Sequence, residues 1–153
     1  MSTELTLTGD ILPARDNPTS LFEPAREYLA DGLTFGQLET CISDKGRPRR
    51  DVLTPMRVPP SHLSALTYGE IDVVSFAGNN NLDYGTQAFI DTIDRLESNN
   101  IAMVGGGNTL EAARAPRYVE HDGVTIAFVS ACSILRQGYE ATDSQPGINP
   151  LEI

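Results

Sequence analysis

The sequence predicts an α/β fold, layered around a largely parallel sheet. Three observations carry this. Strand-like and helix-like segments alternate through most of the chain. The strongest strand candidate, Ile71 to Ala77 (IDVVSFA), is β-branched and apolar throughout, as in a sheet covered on both faces. A hairpin signal, Asp122–Gly123 between two apolar runs, follows the alternating part. The length of 153 residues fits one domain with a sizeable core.

The first strand is expected from about Glu4 to Thr8, where Leu5, Leu7 and later Ile11 alternate with polar residues; it ends in Gly9–Asp10. Leu21 to Asp31 has helical spacing, with Leu21, Phe22, Ala25, Tyr28 and Leu29 on one face and Pro24 in the first turn. Leu33 to Glu39 reads as a second strand. Thr40 to Pro55 reads as a loop, with a small basic cluster at Arg47, Arg49 and Arg50 that is either a solvated surface or an anion site. Pro59 to Tyr68 is expected to form a short helix capped by Ser61. Thr86 to Asn99 is amphipathic, with Phe89, Ile90, Ile93 and Leu96 inward. A short strand, Ile101 to Val104, leads into Gly105–Gly106–Gly107. That glycine run lacks the rest of a phosphate-loop motif and reads as a tight turn. Thr109 to Arg114 is a helical turn or two, and Tyr118 to His121 and Val124 to Ser130 form the hairpin. Beyond Cys132 the chain is polar and irregular.

Eleven Lys+Arg stand against 21 Asp+Glu, a formal charge of −10. This balance argues against nucleic acid as a general partner, which needs clustered cations. No apolar run approaches the roughly 20 residues of a membrane span. The first residues show neither a basic nor an apolar leader region, so the expected location is the cytoplasm. Cys41 and Cys132 are isolated and form no CxxC pair; buried apolar roles are expected of them. With no GxSxG elbow and no cue for cysteine activation, a nucleophilic hydrolase is disfavoured. His62 and His121 match no metal spacing.

Three successive strands each end in an oxygen-bearing residue: Asp10, Glu39 and Asn79. In parallel sheets, sites gather at the carboxyl ends of strands. Carboxylates crowded on one rim repel unless a positive charge lies between them. A divalent cation satisfies that need, and carboxylate and amide oxygens suit Mg²⁺, Mn²⁺ or Ca²⁺, or Zn²⁺ if imidazole joins. Each residue also has a local reading: Asp10 as a turn cap, Glu39 as a solvated side chain, Asn79 in a left-handed turn.

Three segments carry a family resemblance. They are Thr8-Gly9-Asp10-Ile11-Leu12-Pro13-Ala14-Arg15, Phe35-Gly36-Gln37-Leu38-Glu39 and Ser75-Phe76-Ala77-Gly78-Asn79-Asn80-Asn81-Leu82-Asp83-Tyr84-Gly85. With Met56-Arg57-Val58-Pro59, the Gly105–Asn108 turn and the hairpin, they resemble the bacterial capsule-synthesis protein CapA family of poly-γ-glutamate biosynthesis. The resemblance runs over essentially the whole chain. It implies a layered α/β sandwich of the calcineurin-like metallophosphoesterase type, with a dinuclear metal site at the strand ends. Asp10, Glu39 and Asn79 match metal ligands; Asn80 and Asp83 match catalytic positions; Arg15 and Arg57 match polar, substrate-binding positions.

Three departures matter. Asn80 stands where the family has histidine, and an amide cannot act as an acid near neutral pH. Gln37 replaces an asparagine. The sequence reaches Leu151 near the middle of the family pattern, before the histidine-bearing H-W-G and G-H-x-P-H motifs. Residues 1–153 are therefore expected to be the N-terminal part of the domain. The resemblance implies a metal-dependent hydrolase or peptide epimerase, with phosphoester, peptide or polyglutamate substrates. Epimerisation, in which a base removes a Cα proton, suits Asn80 better than phosphoester cleavage does. Two alternatives are a catalytically degenerate binding or assembly domain in capsule or polyglutamate biosynthesis, and a purely structural use of the three residues. A half-sandwich is expected to expose an apolar face, and so to pair with a complementary C-terminal half or form a homo-oligomer.

Overall fold

A computed structural model describes residues 3–29 and 31–151. Strand β1 (Leu5–Ile11) is followed by two 3₁₀ turns (Pro18–Leu21 and Glu23–Ala25) and the single turn α1 (Arg26–Leu29). Next come β2 (Leu33–Leu38), β3 (Cys41–Ile42) and β4 (Arg57–Val58). A 3₁₀ turn (Pro60–Leu63) runs into α2 (Ser64–Tyr68), then β5 (Val73–Ser75) and α3 (Thr86–Ser98). The chain continues through β6 (Ala102–Val104), β7 (Gly106–Gly107), α4 (Leu110–Arg114), β8 (Arg117–His121), β9 (Val124–Phe128) and β10 (Gly147–Ile148).

The central sheet has the order β1-β2-β5-β6, and every pair in it is parallel. The predicted α/β class with a parallel sheet is what the chain forms. One face carries Ile11, Leu38, Val74 and Phe76 against α2 and α3, with Ala65, Leu66, Ala88, Phe89, Ile93 and Leu96 buried between. Phe76 and Phe89 stack at 4.9 Å between ring centroids. Burying rings of this size supplies about 1.5–3 kcal/mol each. The other face carries Leu33, Phe35, Val73, Ala102 and Val104 under the β8–β9 hairpin, with Phe35 stacked on Phe128 at 5.2 Å. Val73 and Val74 point to opposite faces and both are fully buried, as the apolar run predicts. The hairpin stops short of β1, whose Leu7 stays 65% exposed.

The structure departs from the expected elements at several points: β1 runs on through Gly9–Asp10 to Ile11, and Cys41–Ile42 of the expected loop pair with Arg57–Val58. The expected helix Leu21–Asp31 reduces to two 3₁₀ turns and four α-helical residues; Ala30 lies outside the described residues. Pro24 offers no N–H, so the regular ladder starts only at Arg26. Ser61 caps nothing, because the helix opens as a 3₁₀ turn after Pro59. Ile90 is only half-buried. Gly106 and Gly107 form an antiparallel ladder with β10, not a bare turn. Their lack of side chains is required there, since a Cβ on Gly107 would lie 2.6 Å from the Ala113 backbone nitrogen. The hairpin turn is as expected, with Asp122 at φ 50° and Gly123 at φ 76°.

Candidate metal centre at the strand ends

Because β1, β2 and β5 are adjacent and parallel, their carboxyl ends share one rim. Asp10 pairs in register with Gln37, and the Glu39 amide donates to the Ile11 carbonyl at 3.1 Å. Asp10 and Asn79 are exposed, while Glu39 and Asn80 are half-buried. Asn80 Nδ2 donates to Glu39 Oε1 at 2.6 Å and, more weakly, to Asn79 Oδ1 at 3.4 Å. Burial raises the Glu39 carboxyl above its ordinary range; the Asn80 hydrogen bond opposes this, and the charges of Asp10 and Asp83 add to it. The two rim carboxylates therefore feel each other. Among the described residues, neither has a Lys, Arg or His partner.

The turn after β5 is fastened from beneath. Asn81 is fully buried and its Nδ2 donates to the carbonyls of Leu38 (2.9 Å) and Phe76 (3.0 Å), tying the ends of β2 and β5 to the turn. Cys41 Sγ donates to the Asn81 carbonyl. Burial pushes that thiol up to about 12, so it is an inert core group, as expected of it. Both cysteines are free. Gly78 packs closely on the amides around it, since a Cβ would lie 2.8 Å from Gln37 Nε2 and 3.0 Å from Asn81 Nδ2. Ser75 Oγ donates to Gln37 Oε1 and shares a hydrogen bond of 2.6 Å with Ser130 Oγ. Through that pair the rim is joined to the segment leaving the hairpin.

Asp83 sits differently from the other predicted residues. It is fully buried, with Oδ1 accepting from the Tyr139 hydroxyl at 2.7 Å and Oδ2 from the Met56 amide at 3.0 Å. Its carbonyl accepts from the Arg49 amide at 2.8 Å. Burial and the Asp83 charge raise the Tyr139 phenol, keeping it a donor. Arg57 packs its guanidinium 4.2 Å above the Tyr84 ring and donates to the Lys45 carbonyl. With Ser43, Asp44, Val58 and Pro59 these two line a cavity of about 190 Å³. Arg15 is exposed and donates to the Ser20 carbonyl at 3.3 Å; among the described residues it makes no hydrogen bond or ion pair to a rim residue. The structure thus brings Asp10, Glu39, Asn79 and Asn80 together, places Asp83 and Arg57 under and beside their turn, and leaves Arg15 apart. Tyr139, Asn81 and the Ser75–Ser130 pair had no sequence signal as site residues: their roles come from contacts that span the fold.

The donor set can be tested against a cation. Among the described residues, no group of three or more His, Cys, Asp or Glu is disposed to hold a metal. The rim offers two carboxylates and one amide oxygen. These are hard oxygen donors of the kind Mg²⁺, Mn²⁺ and Ca²⁺ take, with places left for water or further ligands. His62 Nδ1 is spent on the Pro13 carbonyl at 2.6 Å. Two uncompensated carboxylates on one rim fit a bound cation, as a partial set.

The family described as bacterial capsule synthesis protein PGA_cap matches residues 4–151. The chain belongs to this family. The PGA biosynthesis protein CapA of Bacillus subtilis (strain 168) is 32% identical over 127 residues, which are 82% of this chain and 33% of that protein. Two Mycobacterium tuberculosis proteins, from strains CDC 1551 / Oshkosh and ATCC 25618 / H37Rv, are each described as a probable polyglutamine synthesis accessory protein. Each is 29% identical over 126 residues, 80% of this chain and 33% of its own length. The chain thus spans about a third of the length of the curated relatives it matches. The PGA_cap resemblance read from the three motif segments stands, and the mixed α/β fold with a central parallel sheet agrees with a metallophosphoesterase-like architecture. No helix of the described residues is long and apolar enough to cross a membrane.

Proposed function

We propose that this chain supplies one side of a divalent-cation site for a metal-dependent enzyme of capsule or polyglutamate biosynthesis, with Asp10, Glu39 and Asn79 as ligands. One observation carries the reading: two carboxylates without a cationic partner share a rim where two parallel strands end. A cation held there supplies Lewis acidity toward a carbonyl or phosphoryl oxygen. Asn80 orients Glu39 through its 2.6 Å hydrogen bond. It leaves the Oε2 atom of Glu39 to the cation and donates no ionisable proton itself. Asp83 positions the turn that carries Asn79 and Asn80. This division of labour favours a peptide or polyglutamate substrate, epimerised or hydrolysed, over a phosphoester needing a general acid. The remaining ligands come from a further segment such as the relatives possess, or from a second copy. Leu5 and Leu7, uncovered on β1, favour such a neighbour.

Mn²⁺ titration followed by calorimetry and thermal melting tests this. A ligand at 100 times its Kd adds about 2.7 kcal/mol, roughly 5–10 °C for a chain of this size. Asp10→Ala and Glu39→Ala should each abolish the shift. No response to Mn²⁺ or Zn²⁺, in this chain and in a version extended to the length of its relatives, would overturn the reading. The second reading, a binding or assembly domain, rests on Asn80. It expects metal binding without turnover in the extended version.

A further inference from the structure

We propose that the loop from Asp44 to Arg57 is a docking platform for an extended, carboxylate-rich polymer, with Arg47, Arg50 and Arg136 as its binding groups. The proposal rests on the polymer-biosynthesis reading above, whose substrate it locates on the surface. Its basis is a charge anomaly. Five of the chain's eleven basic residues and only two of its 21 acidic ones fall in these fourteen positions, a local charge of +3 in a chain of −10.

Several of the loop's cations are already committed. Lys45 Nζ lies 2.7 Å from Asp91. Arg49 makes a forked contact to Asp51 at 3.0 and 2.8 Å and stacks 4.8 Å above the Tyr139 ring. Arg57 covers Tyr84. Arg47 and Arg50 are exposed, and among the described residues neither has a carboxylate or hydrogen-bond partner. Arg136 approaches the same loop from the far end of the chain, reaching only the Asp51 carbonyl at 3.5 Å. Among the described residues, Arg47 and Arg50 thus stand on this loop without an ion-pair partner, and Arg136 adds a third guanidinium beside Asp51, whose carboxylate Arg49 already holds, in a protein with nearly twice as many acids as bases.

The loop is also held still. Gly46, at φ 78°, lies so close to Tyr84 that a Cβ would sit 2.1 Å from its carbonyl oxygen. The amides of Arg49 and Met56 both bond to Asp83. Arg49 Nη2 donates to the Gln137 carbonyl at 3.0 Å. A fixed backbone spares the loop its own ordering cost on binding, leaving only that of the exposed arginine side chains, and guanidinium forks match carboxylates. The tie to Asp83 places the platform beside the turn that carries Asn79 and Asn80, so a chain lying on it can feed the rim. Nucleic acid is the poorer occupant: it binds by stacking its bases on open aromatic faces, and the rings beside the loop are covered, Tyr84 by Arg57 and Tyr139 by Arg49.

The probe is fluorescently labelled polyglutamate of defined length, followed by anisotropy at low ionic strength. Wild type should bind, weaken with added salt, and lose affinity roughly tenfold in Arg47→Glu/Arg50→Glu. The melting temperature and the response to Mn²⁺ should not change. If the charge reversal unfolds the chain, Arg47→Gln/Arg50→Gln carries the same test. Asp10→Ala should remove the Mn²⁺ response and keep polymer binding, so failure of the metal reading and failure of this one are separable. Undetectable binding by wild type, equal binding by the arginine variants, or equal or tighter binding of single-stranded DNA of matched charge would each overturn the proposal.

Discussion

Removing one hydroxyl, in Tyr139→Phe, tests how the turn beside the rim is held. Tyr139 and Asp83 are both fully buried, and their O–H···O contact is 2.7 Å. A hydrogen bond to a charged, buried acceptor contributes about 1.5–3 kcal/mol. Phenylalanine keeps the ring, and with it the Arg49 stacking at 4.8 Å, so the substitution isolates the hydroxyl. The expected loss is about 2 kcal/mol, or roughly 4–8 °C in Tm for a domain of this length. In an Asp83→Asn background the same substitution should cost only about 1 kcal/mol, because the bond it removes is no longer charge-assisted.

Urea unfolding of the four proteins in this cycle gives the numbers. Hydrogen exchange gives the location: the Arg49 and Met56 amides hang on Asp83 and should open more readily, by up to about thirtyfold if opening follows the lost 2 kcal/mol. A Tyr139→Phe protein within about 0.5 kcal/mol of wild type, or one with the same loss in both backgrounds, would refute the assignment of Asp83 as a buried tether.

Two further outcomes are expected. Asp91 accepts from Lys45 (2.7 Å), Arg95 (2.9 Å) and Ser43 (2.7 Å); burial alone would raise its carboxyl, but these donors outweigh it and bring it to about 2, against 3.8 unfolded. A depressed carboxyl stabilises the fold above about pH 4 and loses that contribution as pH falls toward 2, so about 2 kcal/mol should vanish over this window in urea titrations of wild type and be absent from Asp91→Asn. Gly107→Ala should cost about 1–3 kcal/mol or more, because the added Cβ meets the α4 backbone at 2.6 and 2.8 Å, whereas Gly9→Ala, with nothing within 4 Å, should stay within about 0.5 kcal/mol; equal melting temperatures would refute the packing argument.

What could be read from the sequence was set by periodicity and by strand ends. Thr86–Ser98 announced itself through its 3.6 period, Val73–Ser75 as the heart of a continuous β-branched apolar run, and Leu33–Leu38 as a strand in the alternation of elements; all three fell where expected. Parallel neighbours followed from the alternation of elements, and that brought Asp10 and Glu39 onto one rim without any knowledge of distances. What escaped was non-local. The β7–β10 ladder joins Gly107 to Gly147, two stretches with no strand pattern of their own. Tyr139 lies in an irregular segment, and nothing near it in sequence says that it reaches Asp83. Asp83 itself looked like a reactive acid because of its motif position. The two donors that hold it, one on each oxygen, come from segments 27 and 56 residues away.

The first strand shows how one residue can decide the chemistry. In a regular strand Leu5, Leu7, Gly9 and Ile11 would share a face, and Asp10 would lie on the opposite one. The observed register is Leu7 with Phe35, then Asp10 with Gln37, so β1 carries one extra residue between them. Without it, Gly9 would oppose Gln37 and Asp10 would oppose Leu38, on the face buried against α2 and α3. A carboxylate there would be desolvated with no partner, at a cost of several kcal/mol. With it, Ile11 turns into that core, 2% exposed, while Leu7 stays with Phe35 on the hairpin side. Asp10 shares the face of Gln37, and the alternation that leads on to Glu39 brings the two acids together. Gly9 tolerates the irregularity, having open space where a Cβ would be. In the sequence Leu5, Leu7 and Ile11 keep one unbroken alternation, so nothing in the pattern announces the extra residue. It is the register with β2 that puts Ile11 and Leu7 on opposite faces and Asp10 on the rim.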